Sequence, residues 1–561
     1  MKQESGNSRI WQRDLVLLAK NTHVWLFQLS QKYSSQIHTL DQIPAEELRE
    51  IRDYGFTGLW LVGIWERSSA SRRIKQLYGR GHLIGSAYSV NGYQVASDLG
   101  GESALDLLKA KAAAEGIYIA CDMVPNHTGL DSPWVLDHPD WYIGTLEKPV
   151  STWEYNSEDL SPREGIQIRI EDGYYTQQEA AEVFQYTTSE GFGPLFIYHG
   201  NDGTSMPWND TAQLNYLNPH VREEVKKQIL EVARRFPVIR LDAAMTLIRQ
   251  HFKRLWYPDP GGEKFIPTRD EFPMAQEEFD SCMPDEFWTE VLKELKLTAP
   301  DTLMLAEAFW LMEKYFVREL GMHRVYNSAF LNQLRDEENS KLRSYFREIL
   351  ETDPTLLECF VNYLTTPDEA PAKETFGSGD KYFGVCGFMS ALPGLPMFGH
   401  GQMEGLSEHY GMDFQAPMLN EQQDVIFKEK HKHWITPLLR QRPRFSQAEK
   451  MSIFDFHEDG RINEDVYIFS IYSEGYRSLV IFNNSSHAAV GSIHKGTHST
   501  NGAKTSDGNS LDFALELDGF DSIPLTELRT GEKRFIDRES LRSSGLYLSL
   551  DPYQLLVYSI D

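Results

Sequence analysis

Two rhythms of apolar and polar positions alternate from about residue 10 to about residue 440. Short apolar runs of strand length recur between stretches in which apolar residues return every three or four positions. The runs Thr22–Leu29, Phe56–Ile64, Ile117–Val124, Pro237–Ala244, Thr302–Phe309 and Leu357–Leu364 predict strands. So does the short segment opened by Pro393-Gly394-Leu395-Pro396. Helical spacing covers Pro44–Asp53, Ser103–Glu115, Val221–Arg235, Asp285–Leu297, Lys341–Leu350, Lys381–Leu392 and, with many charges, about Glu421–Leu439. Gly116 stops the second of these helices, and Asn218-Pro219 opens the third. The rhythm breaks twice. Thr128–Pro207 holds turn residues, aromatics and short β-like pieces, too long for an ordinary connection and therefore read as an inserted subdomain. Gln250–Pro284 is a second irregular piece. Beyond about Pro443 the pattern becomes all-β, with strands expected at Val466–Tyr472, Ser478–Phe482 and Tyr553–Ile560 and a loop at Gly491–Ser510.

Roughly eight strand–helix units followed by a β module predict an α/β fold. It is a (β/α)8 TIM barrel with an inserted subdomain after strand three and a C-terminal antiparallel β-sandwich. The boundaries read 1–127 and 208–442 for the two parts of the barrel, 128–207 for the insertion and 443–561 for the C-terminal domain.

Composition narrows the function. The 561 residues carry a formal charge of −27. Nucleic acid needs a basic surface, so it is excluded as a partner, and a neutral or cationic substrate fits better. Cys121, Cys282, Cys359 and Cys386 show no zinc or redox spacing, which points to a reducing compartment. The first residues lack the apolar core of a secretory signal, and no apolar run reaches membrane-spanning length. A cytoplasmic location with no membrane partner is therefore expected. Oligomeric state is left open.

Candidate chemistry lies at strand ends. Arg240 and Asp242 interrupt the fourth apolar strand two positions apart, so they share one face. A buried carboxylate must be paired, and Arg240 supplies the cation that favours its ionised form. These two residues alone leave two readings open, a structural ion pair or an ionised nucleophile. In a barrel of this kind, catalytic groups sit at the C-terminal ends of strands. Asp122, Asp242, Glu307 and Asp368 each follow such an end. Asp242 and Glu307 can form the nucleophile and protonated acid of a retaining glycosidase, the apolar neighbours of Glu307 raising its pKa. Asp368 can hold sugar hydroxyls, and Tyr88, Trp256 and Trp310 can stack on sugar faces, core packing being the favoured reading for each ring taken singly.

These motifs together resemble the α-amylase family, glycoside hydrolase family 13. Asp122-Met123-Val124-Pro125-Asn126-His127 is similar to its first signature, in which the Asp orders the site and the His contacts the sugar. Arg240-Leu241-Asp242-Ala243-Ala244 resembles the second and Ala306-Glu307 the third. The resemblance implies that Asp242 is the nucleophile, Arg240 its partner, Glu307 the general acid/base, and Tyr88 the ring beneath the reacting sugar. Pro393-Gly394-Leu395-Pro396 with Gly401-Gln402 resembles the family's eighth strand. The fourth signature departs. It reads Thr366-Pro367-Asp368 where the family has Asn-His-Asp, and this resembles the family's maltosyltransferases. Gln213 also replaces a calcium-binding Asp. Asn126 remains the one candidate calcium ligand, and no cofactor is required.

The reading is thus a retaining α-glycosidase acting on α-1,4-glucans or malto-oligosaccharides. The same nucleophile would serve a maltosyltransferase or trehalose-synthase type of transfer. A non-catalytic carbohydrate-binding or partner protein is the third alternative, disfavoured by the three acids the chain keeps.

Overall fold

The structure is a computed structural model; it describes residues 10–560 except 177–180, 190, 192, 204–206, 264, 310–311, 449, 500–510 and 518. Eight parallel strands close into a barrel: β1 (Leu17–Asn21), β2 (Gly58–Val62), β3 (Tyr118–Met123), β4 (Val238–Leu241), β5 (Leu303–Ala306), β6 (Arg324–Tyr326), β7 (Phe360–Tyr363) and β8 (Leu395–Phe398). Each pairs with its sequence neighbours, and β1 meets β8 through Leu17 opposite Met397. The strands read as continuous apolar runs because helices cover their outer face and side chains fill the interior. β4 shows the register that matters here, with Arg240 opposite Asp122 on β3 and opposite Leu305 on β5.

The first strand lies earlier than the apolar pattern predicts. Thr22–Leu29 is not a strand but most of the helix Thr22–Lys32, and β1 is the wholly buried segment before it. Thr22, Trp25, Leu26 and Leu29 are buried, which is helical spacing. The β-branched and aromatic composition of Thr-His-Val-Trp masked that period. The Asn21 side chain accepts a hydrogen bond from Val24 N and so starts the helix. β6 is three residues long and gave no readable period. The irregular piece Gln250–Pro284 contains the helices Arg249–Trp256 (from one residue earlier) and Gln276–Cys282. The long charged helix is shorter than its charge pattern: Asp424 caps Val425–Trp434, and a separate turn Thr436–Leu439 follows.

After β3 the chain leaves the barrel. Gly144–Thr145, Leu195–Tyr198, Val183–Thr188 and Ile166–Arg169 form a four-stranded antiparallel sheet in that order. At its base His127–Gly129 pairs with Thr211–Gln213, so the insertion leaves and rejoins the barrel through one two-stranded clasp.

The C-terminal strands form one antiparallel sheet. Ile523 and Leu525 from one arm and Leu546 and Leu548 from the other reach the same core, so the sheet curls round it to give the two facing layers of a sandwich. The expected loop at Gly491–Ser510 is a strand over its first part, Ala489–Ser499, paired with Met451–Glu458 and Leu546–Leu550. Residues 500–510 lie outside the described residues. Gly491 sits mid-strand because any Cβ there would strike the His457 carbonyl oxygen.

Candidate active site

The ends of β3, β4 and β5 converge on one guanidinium. Arg240 is 2% exposed. Its Nη1 donates to Asp242 Oδ1 at 2.5 Å and to Asp122 Oδ1 at 3.4 Å, and its Nη2 donates to Glu307 Oε2 at 2.6 Å. The rings of Trp60, Tyr88 and Tyr326 surround it, with Tyr88 nearest at 5.0 Å from ring centre to Cζ. Sequence pairs Arg240 with Asp242 alone; its three-carboxylate role comes from the barrel register, which no linear pattern carries.

Backbone geometry completes the arrangement. Asp242 N donates to Met123 O at 2.9 Å and Glu307 N to Leu241 O at 3.1 Å, so both acids follow directly on the barrel ladder. The next residue, Ala243, has φ 45°, in the left-handed region that a non-glycine residue enters at a cost of about 1–3 kcal/mol. That turn aims Ala243 N at Glu307 Oε2, 3.0 Å away. Glu307 therefore has one oxygen held by two donors, and Asp242 has one held by Arg240. The contacts described leave Glu307 Oε1 and Asp242 Oδ2 for another group.

Burial pushes Glu307 up to about 7; Arg240 opposes this, and the Asp242 and Asp368 charges add to it. Burial likewise raises Asp122 to about 7 against the pull of Arg240, with Asp242 adding to the rise. Asp122 lies beneath the site, where Trp60 Nε1 donates to its Oδ2 at 3.1 Å and Trp65 Nε1 to its carbonyl at 2.8 Å. It orders the floor of the site and is not part of the cleft wall.

A cleft of ≈ 460 Å³ opens above these groups. Asp242, Glu307, Asp368, Tyr88 and His127 line it, together with Trp208 and Met412, two wall residues that sequence reasoning missed. Asp202, Asp210 and Glu369 add three further acids. The only readable signal for that wall was the aromatic-polar triplet Trp208-Asn209-Asp210 at the end of the insertion. Tyr88 is 7% exposed, and its hydroxyl is buried with no hydrogen-bond partner among the described residues. His127 stacks obliquely against Trp208 at 5.1 Å. Its Nε2 donates to Tyr88 O at 3.2 Å, fixing the Tyr88 backbone, and burial holds the ring neutral by lowering its pKa.

Asp368 follows β7 in a turn where its own N donates to Thr366 Oγ1 at 3.2 Å. Its side chain meets solvent in the open cleft, yet protein walls surround that cleft. The partial loss of hydration and the Asp242 charge raise its pKa, while Arg240 and His409 oppose the rise.

Burial and bonding bear on two of the candidate residues. Trp256 is fully buried and packs edge-on against Tyr198 at 5.8 Å, so it is core and cannot stack on a sugar. Trp310 lies outside the described residues. Asn126 does not fit calcium. Gln213 Nε2 donates to Asn126 Oδ1 at 3.0 Å and to its carbonyl at 3.1 Å, while Asn126 Nδ2 donates back to Gln213 Oε1 at 3.1 Å. The oxygens a hard cation needs are already satisfied by an amide. Among the described residues no group of three or more His, Cys, Asp or Glu side chains is placed to share a metal ion. No described helix is long and apolar enough to cross a membrane.

Comparison with known proteins agrees with this geometry. Maltase A1 of Drosophila melanogaster is 25% identical over 341 residues, 54% of this chain and 51% of that protein. Alpha-amylase 3 of Dictyoglomus thermophilum is 21% identical over 411 residues, 70% of this chain and 65% of that protein. The chain thus spans about half to two-thirds of the curated relatives it matches. In structure, the alpha-amylase from Geobacillus thermoleovorans, solved with acarbose, superposes with a TM-score of 0.60 at 14% identity over 98% of both chains, which establishes the shared fold. The family model "Alpha amylase, catalytic domain" matches residues 39–353, a span that holds Asp122, Asp242 and Glu307. With more than half its length matched and those acids at the barrel mouth, this chain belongs to the α-amylase family.

Proposed function

We propose that the protein is a retaining α-glycosidase acting on α-1,4-glucans or malto-oligosaccharides. One observation carries this reading. Asp242 and Glu307, at the ends of adjacent strands, each give one oxygen to Arg240 and keep the other toward a common cleft. Asp242 Oδ2 attacks the anomeric carbon while Glu307 gives its proton to the departing oxygen, leaving a glycosyl ester on Asp242. Glu307, now ionised, takes a proton from water, whose oxygen displaces Asp242. Burial supports the acid role by keeping Glu307 protonated toward neutral pH. Asp368 faces the same cleft and is the group available to hold the hydroxyls of the reacting sugar. Tyr88 lies on the Arg240 side of the cleft, where a sugar ring can rest on it.

Transfer to a second sugar is the companion reading, favoured by the Thr366-Pro367-Asp368 departure. A sugar-phosphate donor fits the wall poorly. Six carboxylates and no Lys or Arg stand among its described lining residues. A phosphate needs cationic partners there. Acarbose in the Geobacillus relative is a neighbour's ligand of sugar type that fits such a wall.

Products from maltodextrin, maltose, trehalose and maltose 1-phosphate, resolved by chromatography and followed by NMR for the first anomer released, test the reading. Expected are α-configured products from the maltodextrin and none from maltose 1-phosphate. Glu307→Gln should cut kcat about 10²–10⁴-fold with the fold intact. Asp242→Asn should abolish turnover, and full activity in either variant overturns the proposal.

A further inference from the structure

Asp368 stands on a turn with little behind it. An open pocket of ≈ 40 Å³ lies between Thr366 and Pro367 and the loop that follows β8, lined there by Glu408, His409, Tyr410 and Met412, while Thr365 packs on Gly399 at the start of that loop. Close packing is what normally holds a side chain to a fraction of an ångström, and a void forfeits those contacts. A polar contact crosses to the turn from that loop: His409 Nε2 donates to Pro367 O at 2.6 Å. Pro367 has no amide hydrogen, so the turn cannot offer a donor of its own at that position.

The loop bearing His409 is itself well anchored. Glu408 accepts from Met418 N at 2.5 Å and from Leu419 N at 3.0 Å. Glu421 accepts from Ser407 N and Glu408 N. Tyr410 packs on His400 at 4.6 Å, and its hydroxyl accepts from Gln28. Three residues beyond His409, the Met412 carbonyl accepts from Ala87 N at 3.1 Å and from Arg67 at 3.0 Å. Ala87 adjoins Tyr88. One rigid loop therefore grips the Asp368 turn with one residue and the Tyr88 segment with another, on the two sides of the sugar site.

We propose that His409 is a positioning residue that sets the placement of Asp368 relative to Asp242 and Tyr88 through the Pro367 carbonyl. This rests on the reading of Asp368 as the group that holds the reacting sugar. His409 acts through the turn and touches no reacting atom. It needs an N–H donor of about imidazole reach to the Pro367 carbonyl.

The test is a kinetic double-mutant cycle on malto-oligosaccharide. His409→Ala should lower kcat about tenfold to a hundredfold, the scale of a misplaced catalytic group, with KM little changed and an unaltered melting curve. His409→Gln, which keeps an N–H donor, should restore most of kcat. Asp368→Ala should lose far more, and adding His409→Ala to it should cost little further, because both act through one group. Independent, multiplying losses overturn the positioning role, as does full kcat in His409→Ala. If Asp368→Ala itself keeps full activity, the assignment of Asp368 falls instead, and the two failures are told apart.

Discussion

Three carboxylates lean on the single guanidinium of Arg240, and that sharing has consequences for charge. Its planar fork reaches Asp242 and Glu307 with different nitrogens, a geometry an ammonium cannot copy. Arg240→Lys should therefore keep the fold and one ion pair but lower kcat/KM at least about a hundredfold, read in steady-state kinetics. The pH profile follows from Glu307. As the acid with its pKa pushed up to about 7, it should give kcat/KM a descending limb near neutral pH. The Asp368 charge contributes to that rise, so Asp368→Asn should move the limb of its residual activity to lower pH. The same shifts act on stability with a definite sign. Asp122 and Glu307 hold protons more tightly folded than unfolded, so their contribution is present below about 4 and is lost as pH rises through about 7. Asp122→Asn should flatten that decline in denaturant titrations between about pH 4 and pH 7.

At the scale of elements, the barrel must close β1 against β8, and a buried ion pair ties the seam. Lys20 on β1 is 2% exposed, and its Nζ donates to Glu404 Oε1 at 2.8 Å in the loop after β8. Glu404 is held down at about 2; Lys20 outweighs the opposing burial. Its stabilisation is thus present above the usual carboxylate range and lost as pH falls toward about 2. Lys20→Met strands a buried carboxylate and should cost about 3–5 kcal/mol, whereas Lys20→Met with Glu404→Leu should recover most of it. Urea melts of the two variants decide this. Elements such as β4 and β5 were legible because a buried parallel strand is a short, mainly apolar run that ends at a charge, even where one cation, Arg240, interrupts it. β1 was misplaced because Leu-Leu-Ala-Lys-Asn carries Lys20 near its end, whose burial depends on a partner nearly four hundred positions away. Asp242 and Glu307 stood out by their position at strand ends. His409 and Trp208 did not, because loops deliver them and loop paths follow from tertiary contacts. The same limit hid the Asn126–Gln213 pair, whose members look like ligands until their mutual bonds are seen.

For the whole molecule, the relation of barrel to C-terminal sheet decides what can be cut away. Phe388, in the barrel helix Asp380–Ser390, meets Tyr467, Phe469 and Phe482 of the sheet at 5.1–5.9 Å. Tyr467, Phe469, Val480, Phe482 and Leu555 belong to the same apolar core as the barrel strands. Gly387 and Gly384 on that helix admit Leu555 and the Tyr553 carbonyl at distances no Cβ would allow. Polar groups join the same interface. Arg343, 3% exposed, pairs with buried Asp455 and donates to Val466 O at 2.6 Å, while Asn339 and Asn484 exchange hydrogen bonds at 2.7 and 3.0 Å. Domains joined by small polar contacts unfold separately; units that share one apolar core do not. Thermal unfolding should therefore show one transition, with loss of activity, near-ultraviolet dichroism and heat uptake coincident. Phe388→Ala should lower stability by about 3–5 kcal/mol and leave that transition single. Asp455→Ala, which leaves Arg343 buried without its carboxylate, should cost a similar amount. Truncation after residue 442 should yield insoluble chain, since it uncovers the apolar face of the helix Asp380–Ser390. A soluble, active barrel from that truncation, or two separated heat peaks in the intact protein, would show that the shared core is a contact surface between independent domains.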